Sequence, residues 1–166
     1  TDRAHDLLVS PLGGMDAVAL RRLGRALRVE DAVDESGEPV APRSSSELVR
    51  DALLDPLLLI GVPDHLSAPA ARLAGLLRAA ADRVAAGAGA YDVLWALWSG
   101  TSWPNRLERT ARAGGAEGRR ADQEIDAVLA LFDTAARFDA LPLHSGVANF
   151  VEGLNEQEVP GDTLAE

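Results

Sequence analysis

The chain contains no cysteine and no lysine, and all sixteen of its basic residues are arginine. The first absence excludes thiol nucleophiles, thiolate zinc sites and iron–sulfur clusters. The second excludes a P-loop lysine for β- and γ-phosphates and a Schiff-base amine. Aromatic residues make up only 4% of the chain and β-branched residues are few, while the 47% of apolar residues is mostly Ala and Leu. That bias favours helix over sheet. No apolar run approaches the roughly 18 residues needed to cross a bilayer; ALLDPLLLIGV is broken by Asp55 and Pro56. The first residues lack the charged, apolar and small-residue order of a signal peptide, so a cytoplasmic setting without membrane partners is expected. The net charge of −10 argues against general polyanion binding and confines any nucleic-acid contact to local arginine clusters.

What is present reads as helix after helix. Arg3 to Val9 forms a short helix that stops at Ser10-Pro11, because the residue before proline is pushed out of the helical region. A second helix starts near Asp16 and reaches about Arg28, with Val18, Leu23, Ala26 and Leu27 as its apolar stripe. Residues 29–43, VEDAVDESGEPVAPR, are acidic and aperiodic, carry Gly37, Pro39 and Pro42, and are expected to form a mobile loop. Ser44 with Glu47 has capping-box spacing at the start of the next helix, which Pro56 ends. A long helix follows, with Ser67 as its expected N-cap, Gly87 as its stop, and Leu73, Leu76, Leu77 and Val84 on its buried face. YDVLWALWSG gives a short helix, and Ser102 is expected to cap another in which Pro104 fits the first turn. Ile125, Val128, Leu129, Phe132, Ala135 and Ala136 then repeat at helical spacing until Pro142, and Ser145 is expected to cap a last helix. The fold class is therefore all-α, about seven helices in a single domain over 1–166, with one long acidic loop.

Chemistry is sparse in this pattern. His5, His65 and His144 lie far apart near helix ends, with no second ligand at a metal-site spacing. Asp122 and Asp126 stand one turn apart, but on the polar side of a helix, where a solvated face explains them better than acid–base catalysis. Trp95, Trp98 and Trp103 read as core packing rather than a base-stacking platform. Around Gly61-Val62-Pro63 the layout is that of a helix-hairpin-helix phosphate site, degenerate because Pro63 removes one backbone donor and Asp64 adds repulsion. No G-x-S-x-G, G-x-x-x-x-G-K or H-E-x-x-H motif occurs, so no active site and no cofactor are expected within the chain itself. The arginines remain. Arg21, Arg25 and Arg28 line one helix face, with Arg22 beside them. Arg106, Arg109, Arg112, Arg119 and Arg120 flank the joint AGGAEGRRAD, whose Gly114, Gly115 and Gly118 would admit a phosphate close to the backbone. Pairing with the abundant Asp and Glu is the competing explanation.

Three segments, LLVSPLGGMDAVALRRLGRALR, LWSGTSWPNRLERTARAGGAEGRRADQEIDAVLALFDTAARF and FVEGLNEQEVPGDTLAE, taken in that order, resemble an internal stretch of UvrD/Rep-like superfamily 1 DNA helicases, in particular helicase-nuclease subunits of the AdnAB and RecB type. The resemblance implies the helical 2B subdomain, inserted in the second RecA-like domain, and it implies that the ends of this chain are cut points in a longer protein. It places ATP and magnesium elsewhere in that parent, an ATP-dependent DNA helicase, and leaves this segment without catalysis of its own. The implied role is to guide duplex DNA and regulate unwinding. The implied partners are double-stranded DNA, the rest of the motor and a nuclease or partner subunit, with Arg106, Arg109, Arg112, Arg119 and Arg120 as the DNA contacts. A helical protein–protein interaction module without DNA contact is the alternative, which the net charge favours.

Overall fold

The computed structural model describes residues 3–32, 38, 41–141 and 146–158. They form helices only, with no strand among the described residues. The helices are α1 (Arg3–Val9), α2 (Ala17–Glu30), α3 (Ser45–Leu54), α4 (Asp64–Ala85), α5 (Ala90–Ser99), α6 (Trp103–Ala113), α7 (Gly115–Asp139) and α8 (Val147–Glu158), with a 3-10 turn over Pro56–Leu59. The all-α expectation holds. No described helix is long and apolar enough to cross a membrane. By its contacts the chain divides into two compact units, 1–78 and 79–166, the division falling inside α4.

In the first unit, the PLGG turn folds back on α1. A side chain at Gly13 would run into the Leu8 carbonyl, which is why a residue without Cβ stands there. The Ser10 hydroxyl donates to the Leu7 carbonyl at 2.7 Å and accepts the Leu12 N–H at 3.2 Å, closing the turn. Asp16 caps α2 by accepting the Val18 and Ala19 N–H groups at 2.8 and 2.7 Å. Those two bonds, Ala19 first, hold its carboxyl below the usual carboxylate range. The Ser44–Glu47 capping box forms in full: the Ser44 hydroxyl accepts the Glu47 N–H, and the Glu47 carboxylate accepts the Ser44 N–H. Leu8, Leu20, Leu23 and Leu73 are the largest fully buried side chains, and Leu27, Leu48, Val49, Leu59 and Leu66 close the same core. Each such leucine contributes roughly 1.5–3 kcal/mol on burial.

The chain segment between α2 and α3 is tied at its base. Arg43 donates to both oxygens of Asp31, and its Nη1 donates to Asp51 Oδ2 at 3.0 Å; Asp51 Oδ1 also accepts from Arg50 Nε and Nη2. The Arg43 hydrogen bond lowers the Asp31 carboxyl below its ordinary value. α2 runs two residues into the segment expected to be a mobile loop; of that expectation, residues 33–37, 39 and 40 lie outside the described residues.

The second unit is built differently. Its core is Ala90, Ala135 and Phe150, with Leu94, Leu131, Phe138 and Leu154 packed against them. Rings meet edge to face: Tyr91 and Trp95 on Phe132 at 5.4 and 6.0 Å, Trp98 on Trp103 at 5.0 Å, and Phe138 on Phe150 at 5.4 Å. The N-terminus of α5 has only Gly89 at its cap position, and Asp139, at the far end of α7, supplies the cap. Its two oxygens accept the Ala90 and Tyr91 N–H groups at 2.9 Å each. A side chain at Gly89 would lie 2.5 Å from Asp139 Oδ2.

Several local expectations are corrected. α4 begins at Asp64, not after Ser67, because the Pro63 carbonyl already accepts the Leu66 and Ser67 N–H groups. Ser67 is instead a buried helix residue whose hydroxyl reaches the Val62 and Pro63 carbonyls. Ser102 occupies the cap position of α6 but makes no capping bond; Thr101 accepts the Trp103 N–H at 3.2 Å. Val18, Val84, Leu129 and Trp95, all expected in packed faces, are exposed, and Ala136 is exposed with them. The expected Pro142 stop and Ser145 cap lie outside the described residues.

Candidate nucleic-acid interface

Helix α6 buries one side chain, Leu107, and Ala111 sits on the same side of it. At about 100° per residue, Arg106, Arg109 and Arg112 then fall together on the opposite, outer face. Arg106 Nη1 donates to Ser102 Oγ at 3.0 Å, and Arg109 Nε donates to the Asn105 carbonyl at 3.2 Å. Arg112 pairs with Glu108 at 2.6 Å with both side chains largely exposed, a pair worth little in water. Arg109 and Arg112 are thus exposed on this face and Arg106 is half-buried beside them, with one carboxylate among the three.

The glycine joint serves the chain reversal. Gly114 is the single residue between α6 and α7, and Gly114 and Gly115 both take positive φ. Gly118 is buried, and a Cβ there would lie 3.1 Å from the Ala111 carbonyl, so this glycine lets α7 close onto α6. At Gly118 the close approach expected of a phosphate is made by a neighbouring helix, while the space at Gly114 and Gly115 is open. Because Gly118 and Ala121 face α6, Arg119 and Arg120 lie on the outer half of α7, turned away from α6. Each has carboxylates within a turn: Asp122 for Arg119, and Glu117 and Glu124 for Arg120. Of the five arginines singled out in the sequence, three share one face and two occupy another helix.

The other candidates fall as follows. At the hairpin, Gly61 takes φ +91° and the Glu30 carboxylate lies against it, within 2.6 Å of where a Cβ would stand, while Val62 is buried. An anion of the protein itself sits where a phosphate would have to approach. His65 is exposed in the first turn of α4, His5 lines a cavity in the first unit, and His144 lies outside the described residues. No group of three or more His, Asp or Glu side chains among the described residues is placed to hold a metal ion. Asp122 and Asp126 are exposed on α7, as a solvated face requires. Trp98 and Trp103 are half-buried against each other, while Trp95 is half exposed beside Phe132. The sequence reading missed the separation of the two arginine groups, although the helical repeat on either side of Gly114 carries that signal. No protein-family model, no curated protein and no solved structure matches this chain.

Proposed function

We propose that the chain is an accessory helical domain of an ATP-dependent DNA helicase, acting in the cytoplasm, that contacts duplex DNA through the outer face of α6. The order of the three helicase-like segments supports the placement. The observation that carries the contact is the row Arg106, Arg109 and Arg112, a local cationic face on a chain of net charge −10. A guanidinium presents a planar fork of donors that matches phosphate oxygens, and such contacts hold register without reading sequence. The role is to steady and guide duplex beside the motor. The same resemblance puts nucleotide and magnesium elsewhere in the parent, and no step here uses them.

Three phosphate contacts predict a salt slope of about −2.7, or roughly a 40-fold loss of affinity between 50 and 200 mM salt. Fluorescence anisotropy with labelled duplex measures it. Replacing Arg106, Arg109 and Arg112 together by Ala should remove most of the binding and flatten the slope; Arg119→Ala with Arg120→Ala should do less. Unchanged binding in the triple variant rejects the assignment. A second reading, a protein-interaction module without DNA contact, is favoured by Leu54, Leu57 and Ile60, which stay 71%, 69% and 72% exposed around the 3-10 turn. Absence of duplex binding even at low salt would leave that reading in place.

A further inference from the structure

The first unit carries a second arginine row with a more enclosed setting. On α2 the buried face is Leu20, Leu23, Gly24 and Leu27. Arg21, Arg25 and Arg28, spaced four and then three residues apart, fall on one flank of it and span about 10 Å of helix axis. The start of α3 lies across that flank. Gly24 makes the approach possible: a Cβ there would stand 2.9 Å from the Ser45 Cβ, and the Ser45 hydroxyl donates to the Gly24 carbonyl at 3.4 Å. Ser44 already takes the Glu47 N–H, which leaves the first-turn N–H groups of Ser45 and Ser46 without intrahelical acceptors, at the positive end of the helix. His5, from α1, borders the same space. The result is a groove of about 400 Å³ lined by His5, Arg21, Arg25, Arg28, Ser45 and Ser46, with apolar Leu20 and Val49 beside them.

Two features separate this groove from an ordinary charged surface. No carboxylate among the described residues lines it, although acidic residues outnumber basic ones by 26 to 16 in the chain. Arg43, Arg50 and Arg112 each bond a carboxylate, whereas no hydrogen bond or ion pair among the described residues engages Arg21, Arg25 or Arg28. Three guanidinium forks, the Ser46 hydroxyl and a helix N-terminus converge on one cavity, while the Ser45 hydroxyl donates to the Gly24 carbonyl. We infer that this groove binds a ligand carrying two adjacent phosphate groups, chemistry shared by a free pyrophosphate-type anion and a nucleic-acid strand. The row of arginines along α2 supplies successive forks for successive phosphates, and the start of α3 supplies backbone and hydroxyl donors from the other side.

Isothermal titration calorimetry of the full chain at about 50 mM salt, with inorganic pyrophosphate in one arm and a short single-stranded oligothymidylate in the other, tests the site. Binding of pyrophosphate alone assigns the free anion, and binding of the oligonucleotide assigns the strand. Arg25→Gln with Arg28→Gln should weaken whichever binds by about tenfold or more, whereas Arg72→Gln with Arg137→Gln, which removes the same charge elsewhere, should change it less than about twofold. Ser46→Asp is the second variant: an acid in the first turn favours α3 but puts a negative charge into the groove, so it should abolish binding while helix content is kept. Binding of neither probe, equal weakening by the two arginine pairs, or unchanged binding in Ser46→Asp overturns the site. The α6 triple substitution leaves this groove intact, so failure of the duplex contact and failure of this site are separate results.

Discussion

The first unit contains no aromatic residue, whereas all seven Trp, Tyr and Phe residues of the chain fall between Tyr91 and Phe150, in the second. The first unit buries a cluster of sixteen mainly aliphatic residues; the second has a smaller cluster of Ala90, Ala135 and Phe150, buries Ala80, Val93, Leu107 and Ala121 outside it, and adds half-exposed rings meeting at their edges. The first also carries its own electrostatic clasp, in which Arg43 ties Asp31 to Asp51. Helix content alone says nothing of this difference. Leucines in a closed core gain from complete removal from water, while an edge-to-face pair adds only about 0.5–1.5 kcal/mol to the area its rings bury. The two units therefore answer to different substitutions and can be read by different probes, because tryptophan fluorescence reports on the second unit alone.

The largest effect should come from the aliphatic core. Leu23 is fully buried, and Leu23→Ala should cost about 2–5 kcal/mol through lost transfer energy and the cavity left behind. Denaturation followed by far-ultraviolet circular dichroism should show the loss, with a smaller shift in the tryptophan transition. An equal shift in both would dissolve the distinction between the units. In the second unit the sensitive point is polar. Asp139→Ala removes both acceptors from the start of α5 and should cost about 1 kcal/mol, seen in the fluorescence transition. Asp139→Asn keeps one acceptor and should fall between that variant and the parent. If Asn and Ala behave alike, the cap is not what Asp139 contributes.

Much of this architecture was legible in local sequence. Ser44 with Glu47, Asp16, Ser10-Pro11 and Gly87 mark helix ends through groups within a few residues of one another, and those ends stand as read. What failed to show was whatever depends on distant neighbours. Asp139 caps a helix 49 positions away in sequence, and only Gly89, a poor cap with no side chain, hints that a carboxylate must come from elsewhere. Val18, Val84 and Leu129 fit their apolar periods yet stay exposed, because the width of a buried face is set by the helix opposite it. Ser67 looked like a cap because serine so often is one, but the Pro63 carbonyl had opened the helix a turn earlier. For the candidate sites, the common face of Arg21, Arg25 and Arg28 was legible from their spacing, whereas the grouping of Arg106, Arg109 and Arg112 apart from Arg119 and Arg120 was not. Gly118, which decides where α7 can approach, decides that grouping too.

Acid gives the smallest effect and the sharpest separation. Asp16, Asp31 and Glu47 all belong to the first unit, and each is held below the ordinary carboxylate range: Asp16 by the Ala19 and Val18 N–H groups, Asp31 by the Arg43 hydrogen bond, and Glu47 by the Ser44 hydroxyl and N–H. A carboxylate whose folded pKa is lowered contributes its stability in full above its unfolded value, near 4, and loses it as pH falls through the folded one. Stability of the first unit should thus be level above about pH 5 and decline progressively below about pH 4. On acid titration the loss of circular dichroism should begin before the tryptophan signal moves. Asp31→Asn keeps the shape of the Arg43 clasp but has no proton to take up in this range, so it should lower stability near pH 7 and flatten the acid decline, shifting its midpoint by a few tenths of a pH unit. If the Asn variant declines with the parent's slope, the clasp contributes nothing to the first unit's acid response, and the caps at Asp16 and Glu47 carry it.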